Sequence, residues 1–322
     1  MGIKLYSAPM EGMTTYLWRR VHRQIFGGAD KYFTPFLSPN DNESFQRKEQ
    51  DELRHNEGMT VVPQILANSA RHVLWAAREL VEMGYGEFNF NLGCPAGTVT
   101  AKRKGAGALR DLPALSAMLE EIFEGLPQGM RLSVKTRVGW ESTTEWPEIL
   151  QVYCRFPISE LIVHPRVRKE LYRGQAHGEL IQNTLAESTV PVCWNGDIFT
   201  PQQARELANQ APQLSALMTG RGLMTDPALL RKIRGGAPAS KDELRRYHDA
   251  LYGAYRERMG SDLNAIYRMR EMWNYLSGSF LHTGQFLKKV RKARSRQEYF
   301  AAVDRLFSES ELDPHPLPPA VK

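Results

Sequence analysis

Over the first 235 residues of this 322-residue chain, short runs rich in β-branched and aromatic residues alternate with amphipathic stretches of helical period. Eight such runs can be marked, at residues 3–8, 31–36, 60–66, 87–91, 131–137, 160–164, 190–195 and 216–220. Between them, 69–83 brings Val73, Ala76, Ala77, Leu80 and Val81 onto one side at three- and four-residue steps, and 112–123 reads as another helix. Eight βα units in this length suit an α/β fold of the (β/α)8 TIM-barrel class, with a doubly wound parallel sheet as the alternative. The polar residues favour the barrel. Each run ends in, or soon before, something unusual: Met10, Pro35, Gln64, Asn91 with Cys94, Lys135 with Arg137, His164 with Arg166, Asn195 with Asp197, and Gly220 with Arg221. In a barrel those eight ends converge on one face, where active sites are built.

The β pattern stops at RGGAPAS, residues 234–240, which reads as a linker closing a domain of residues 1–235. Residues 241–309 read as four helices with breaks near Gly260, Thr283 to Gly284 and Ser295, enough for a small all-α bundle. The stretch 310–322 is rich in proline and poor in apolar surface, so a mobile tail is expected. A hydrophobic fraction of 42% and a mean hydropathy of −0.44 allow a large core. No apolar run approaches the ~18 residues that span a bilayer, and residues 1–10 lack the pattern of a signal peptide. The expectation is a cytoplasmic monomer without membrane contact. Cys94, Cys154 and Cys193 form no CxxC pair, which points to reduced thiols and no metal site. The net charge of +6 is unevenly spread: residues 241–309 carry 14 Lys and Arg against 9 Asp and Glu, whereas residues 1–240 carry 27 against 25. A polyanionic partner would therefore meet the last quarter of the chain.

Five motifs occur in order between residue 8 and about residue 222: APMEGMT at 8–14, NLGCPAGTV at 91–99, GAGAL at 105–109, VKTRVGW at 134–140 and NGDI at 195–198. Together they make the chain resemble the tRNA-dihydrouridine synthase family. The stretch YRMREMWNYL at 267–276 resembles that family's C-terminal RNA-binding domain. The resemblance implies an FMN enzyme that reduces the 5,6 double bond of particular uridines in the D-loop of tRNA, with NADPH or NADH supplying the electrons. It implies that the two domains clamp the tRNA elbow while one uridine is extruded. Two departures stand out: His164-Pro165-Arg166-Val167 replaces the family's His-Gly-Arg-Thr, and YRGQAHG at 172–178 has His177 and Gly178 where Asp and Trp are usual.

Under this resemblance Cys94 is the acid that protonates C5 after hydride reaches C6, because an ordinary thiol is mostly protonated near neutral pH. Pro9, Met10, Gln64, Lys135, His164, Asn195, Gly196, Asp197, Gly220 and Arg221 are the candidate cofactor residues. Lys135 would face the anionic reduced flavin at N1 and O2, with pairing to a neighbouring carboxylate as the alternative. The loops at 195–197 and 220–222 would take the phosphate through glycine-exposed amides and Arg221. Asn91, Lys102, Arg103, Arg137, Arg166 and Tyr172 are candidate substrate contacts, as are Lys288, Lys289, Arg291 and Lys292 in the basic run 288–296. The aromatics near that run serve either the bundle core or base stacking. Two rival functions share many of these residues: an FMN barrel reducing a small molecule, and a non-catalytic tRNA-binding protein.

Overall fold

The computed structural model describes residues 2–318. Eight parallel strands close into a barrel in sequence order: β1 (Lys4–Ser7), β2 (Lys31–Leu37), β3 (Val61–Ile65), β4 (Glu87–Leu92), β5 (Arg131–Gly139), β6 (Leu161–Val167), β7 (Val192–Asn195) and β8 (Ala216–Thr219). β1 pairs with both β2 and β8, so the sheet has no free edge and the doubly wound alternative is excluded. Each strand overlaps the run expected from sequence. Outward residues such as Phe88, Phe90, Val134 and Val163 join the shell between strands and helices, while Tyr6, Phe33, Val62, Ile162, Cys193 and Met218 fill the lumen.

The period of two places polar side chains on the lumen wall in rising order. Asn89 and Asn91 alternate with buried Phe90 on β4; Ser133, Lys135 and Arg137 do the same on β5, and His164 and Arg166 on β6. Register then sets them side by side, with Asn91 opposite Lys135 and Arg137 opposite His164. Polarity thus collects at the C-terminal mouth.

The helix Ala70–Glu82 begins at Ser69, whose side chain accepts from the His72 amide. Its buried face holds Val73, Ala76, Ala77 and Leu80, joined by Trp75, but Val81 is exposed. One residue beyond Leu80 turns the helix by about 100° and carries Val81 off the edge of the stripe.

Past the barrel, four helices form as expected: Lys241–Met259, Asp262–Leu276, Gly284–Lys292 and Arg296–Glu309. Ser240, Ser261 and Ser295 cap three of them, and Gly260 ends the first at φ 63°. This bundle shares one continuous core with the barrel shell. Phe26 of the Tyr16–Ile25 helix meets the Tyr247 ring at 5.4 Å, and Arg231 pins the linker through the Ala237 carbonyl at 3.0 Å and Glu243 at 2.8 Å. Part of the proline-rich tail, expected to be mobile, lies against the bundle. Leu312 forms a bridge with Phe280, and the Asp313 amide donates to the Ser279 carbonyl at 2.9 Å. Backbone pairing and one apolar side chain hold this part, while residues 319–322 lie outside the described residues. Among the described residues, no helix is long and apolar enough to cross a membrane.

Candidate active site

A cavity of about 480 Å³ opens at the C-terminal mouth of the barrel. It lies within the size range of ligand and cofactor sites. Of the residues singled out from sequence, Pro9, Met10, Gln64, Asn91, Cys94, Lys135, Arg137, His164, Tyr172, Asn195, Gly196, Asp197, Gly220 and Arg221 all line it.

Cys94 sits at the end of an amide chain that runs along the lumen wall over the adjacent strands β5, β4 and β3. Ser133 Oγ accepts from Asn89 Nδ2 at 3.0 Å, Asn89 Oδ1 from Gln64 Nε2 at 2.8 Å, and Gln64 Oε1 from Asn91 Nδ2 at 2.8 Å. Asn91 Oδ1 then accepts from the Gly93 and Cys94 amides at 3.1 and 2.9 Å, fixing the turn that carries the thiol. Gly105 closes the turn from behind, with its φ at +57°. A Cβ there would lie 2.8 Å from the Cys94 carbonyl oxygen, so this glycine serves close packing and is no hinge. Burial pushes the Cys94 thiol above its ordinary value, against the pull of Arg137 and Lys135. The thiol therefore stays protonated at neutral pH. Cys193, by contrast, is sealed in the barrel lumen.

Lys135 makes no hydrogen bond or ion pair among the described residues, and burial, with Arg137 adding repulsion, lowers its pKa to about 8. The alternative of a paired carboxylate does not hold. His164 is pushed well below its ordinary value by burial and by the surrounding Arg137, Lys135, Arg166 and Arg221. It is neutral at pH 7. Arg166 Nη1 lies 3.1 Å from His164 Nε2 and can only donate, so the proton sits on Nδ1, which has no partner among the described residues.

Several expected contacts prove to be supports. Arg166 is fully buried and does not line the cavity; besides His164 it donates to Asp197 at 2.5 Å and to the Arg173 and Gly174 carbonyls. Its donors are committed, which removes it from substrate contact. Arg137 likewise gives its guanidinium to the carbonyls of Gly93 at 3.1 Å, Val167 at 2.9 Å and Leu171 at 2.6 Å. It ties the Cys94 turn to the loop after β6. Asp197, expected at the cofactor, is saturated by Arg166, by Arg221 and by the Ala176 amide, and so positions Arg221. Tyr172 stays exposed over both cations, 5.3 Å from Arg137 and 5.2 Å from Arg221.

Lys102 and Arg103 lie outside the cavity, exposed on the loop after the Cys94 turn. Lys288, Lys289, Arg291 and Lys292 are exposed opposite buried Phe286 and Val290, and among the described residues none forms an ion pair. Of the nearby aromatics, Tyr247, Tyr252, Tyr255, Trp273 and Phe280 are core, whereas Tyr267 is exposed. Sequence reasoning did not place several lining residues at the cavity, among them Thr219 at the end of β8, Glu11 inside the APMEGMT motif, and Tyr275, which reaches the barrel mouth from the Asp262–Leu276 helix. Only docking of that helix reveals Tyr275, since Trp273 two residues earlier turns into the bundle.

Residues 6–311 match the family model described as "Dihydrouridine synthase (Dus)". The chain belongs to the dihydrouridine synthase family. It is similar to a "Probable tRNA-dihydrouridine synthase 2" of Bacillus subtilis (strain 168), 28% identical over 95% of this chain and 94% of that protein. A "tRNA-dihydrouridine synthase B" of Shewanella oneidensis is 30% identical over 72% of this chain and 71% of its own. Among solved structures, morphinone reductase superposes with a TM-score of 0.52 at 9% identity, covering 76% of this chain and 88% of that one. A 2-naphthoyl-CoA reductase gives 0.55 at 13% identity, covering 73% and 50%. These likenesses establish the barrel fold. Family membership makes the chain an oxidoreductase, and its polar residues converge on the cavity at the barrel mouth.

Proposed function

We propose that the chain is an FMN-dependent tRNA-dihydrouridine synthase, reducing the 5,6 double bond of a D-loop uridine with NADPH or NADH as electron source. The observation that carries this reading is the pairing, on one cavity, of a thiol kept protonated with a lysine that has no partner. The residues fit the cofactor. Thr219 Oγ1 is buried at the cavity wall without a hydrogen-bond partner, and Lys135 needs an anion. Gly196 (φ +145°) packs closely on the wall, where an added Cβ would lie 3.3 Å from Pro165. Lys135, Gln64 and the Nδ1 of His164 would hold the ring system beside Pro9 and Met10. Gly196, Gly220 and Arg221 would hold the phosphate. Bound, the flavin would supply the hydride.

The chain's own part is positioning and proton transfer. Asn91 and Arg137 fix the Cys94 turn, Cys94 delivers the proton to C5 of the uracil, and Tyr172 and Tyr275 shield the mouth from water. Lys288, Lys289, Arg291 and Lys292, with Lys102 and Arg103, supply exposed cations for the RNA backbone around the tRNA elbow. Mass-spectrometric mapping of dihydrouridine in tRNA from cells lacking this protein tests the reading. One absent D-loop site is expected, and an unchanged set of sites contradicts it.

A further inference from the structure

Beside the catalytic cavity lies a second one of about 720 Å³, walled by the barrel through Glu11, Phe36 and Lys48 and by the helical bundle through Arg258, Asn264 and Tyr267. Glu11 and Phe36 line both cavities, so the two share a wall. Most charge inside the second cavity is neutralised within the protein. Asp51 pairs with Arg258, Glu52 with Arg19 at 2.8 Å, and Glu49 accepts from the Ser38 and Gln46 amides at 2.8 Å each. Glu11, exposed at the wall the two cavities share, makes no hydrogen bond or ion pair among the described residues, and neither does Lys48 across the same chamber, so the Glu11 carboxylate is open to a ligand. Tyr267 adds an aromatic wall, backed by Arg270 at 4.8 Å and holding Arg294 of the basic run through its hydroxyl at 3.2 Å.

An ionised carboxylate only accepts, through two oxygens, so the group it suits presents two adjacent N–H donors. Among RNA bases the pairing edge of guanine does so, through N1–H and N2–H. Extruding one base into the catalytic cavity unstacks its neighbours, and an adjoining chamber with an aromatic wall can receive one of them. We infer that the second cavity takes a guanine next to the target uridine, with Glu11 accepting from its pairing edge; this rests on the tRNA reading above. Neither the barrel nor the bundle alone forms the chamber.

The test uses the full-length flavoprotein and unmodified tRNA transcripts carrying guanosine, inosine or adenosine on either side of the reduced uridine. Inosine keeps N1–H and lacks the N2 amino group. On one side, wild-type protein should prefer guanosine to inosine by about ten-fold in kcat/KM and in affinity, the scale of one hydrogen bond to a base edge. Glu11→Gln should lose that preference, and Tyr267→Ala should weaken all three transcripts alike. Bound flavin per chain, read from visible absorbance, separates these effects from loss of cofactor. A guanosine preference that survives in Glu11→Gln, or no dependence on either flanking base, overturns the inference. So does a raised KM for NADPH in Glu11→Gln with unchanged RNA dependence, which would give the chamber to the adenosine half of that cofactor. Failure of wild-type protein to reduce any transcript removes the tRNA reading itself, before any variant is compared.

Discussion

Asp197 holds Arg221 at 2.7 Å through Oδ1, while Arg166 closes on the other carboxylate oxygen at 2.5 Å. The carboxylate thereby aims one guanidinium at the cavity and anchors the other behind it. Removing one member of a buried ion cluster leaves the rest uncompensated, at a cost of about 3 kcal/mol. Asp197→Asn should show a stability loss of that order in chemical denaturation, and weaker FMN retention as Arg221 swings free. Unchanged stability together with unchanged FMN affinity would contradict the assigned role.

Lys135 carries a pH prediction. Its pKa of about 8, against an ordinary 10.5, means that the folded chain binds this proton less tightly than the unfolded chain. Its contribution to stability without ligand therefore rises with pH across that interval. Anion binding has the opposite sign, because it needs the charged form. Affinity of the apoprotein for reduced FMN, measured by calorimetry without oxygen, should fall about ten-fold between pH 7 and 9 and become flat in Lys135→Met. A pH-independent wild-type affinity would place the anion elsewhere.

The exposed basic helix is tested through salt. Each phosphate left without its cation should reduce the slope of log affinity against log salt by nearly 1. Joint replacement of Lys288, Lys289, Arg291 and Lys292 by Gln should weaken tRNA binding and lower that slope by up to about 4, with bound flavin retained. Identical slopes for variant and wild type would move the RNA off this face.

Much of the architecture was legible because two periodicities state it directly. Alternation on β4, β5 and β6 marks Asn91, Lys135 and His164 as lumen residues near the mouth, and Ser240, Ser261 and Ser295 mark helix starts. What each polar residue does there was less legible. Lys135 and Arg166 both read as cations at strand ends, yet one is unpartnered and the other is buried in bonds. The difference comes from the carbonyls of Arg173 and Gly174, which curl back from a loop whose path no local pattern specifies. Tyr275 stayed hidden for a like reason, since its place at the mouth depends on where the bundle docks.

Proton donation by Cys94 is the central claim, and single-turnover kinetics reach it most directly. Protein reduced by NADPH without oxygen is mixed with unmodified tRNA, and flavin reoxidation is followed by absorbance. Loss of a positioned general acid costs about 10²- to 10⁴-fold. Cys94→Ala should bind FMN and tRNA like wild type and reoxidise at least about 100-fold more slowly. Reoxidation at the wild-type rate in Cys94→Ala would contradict the account.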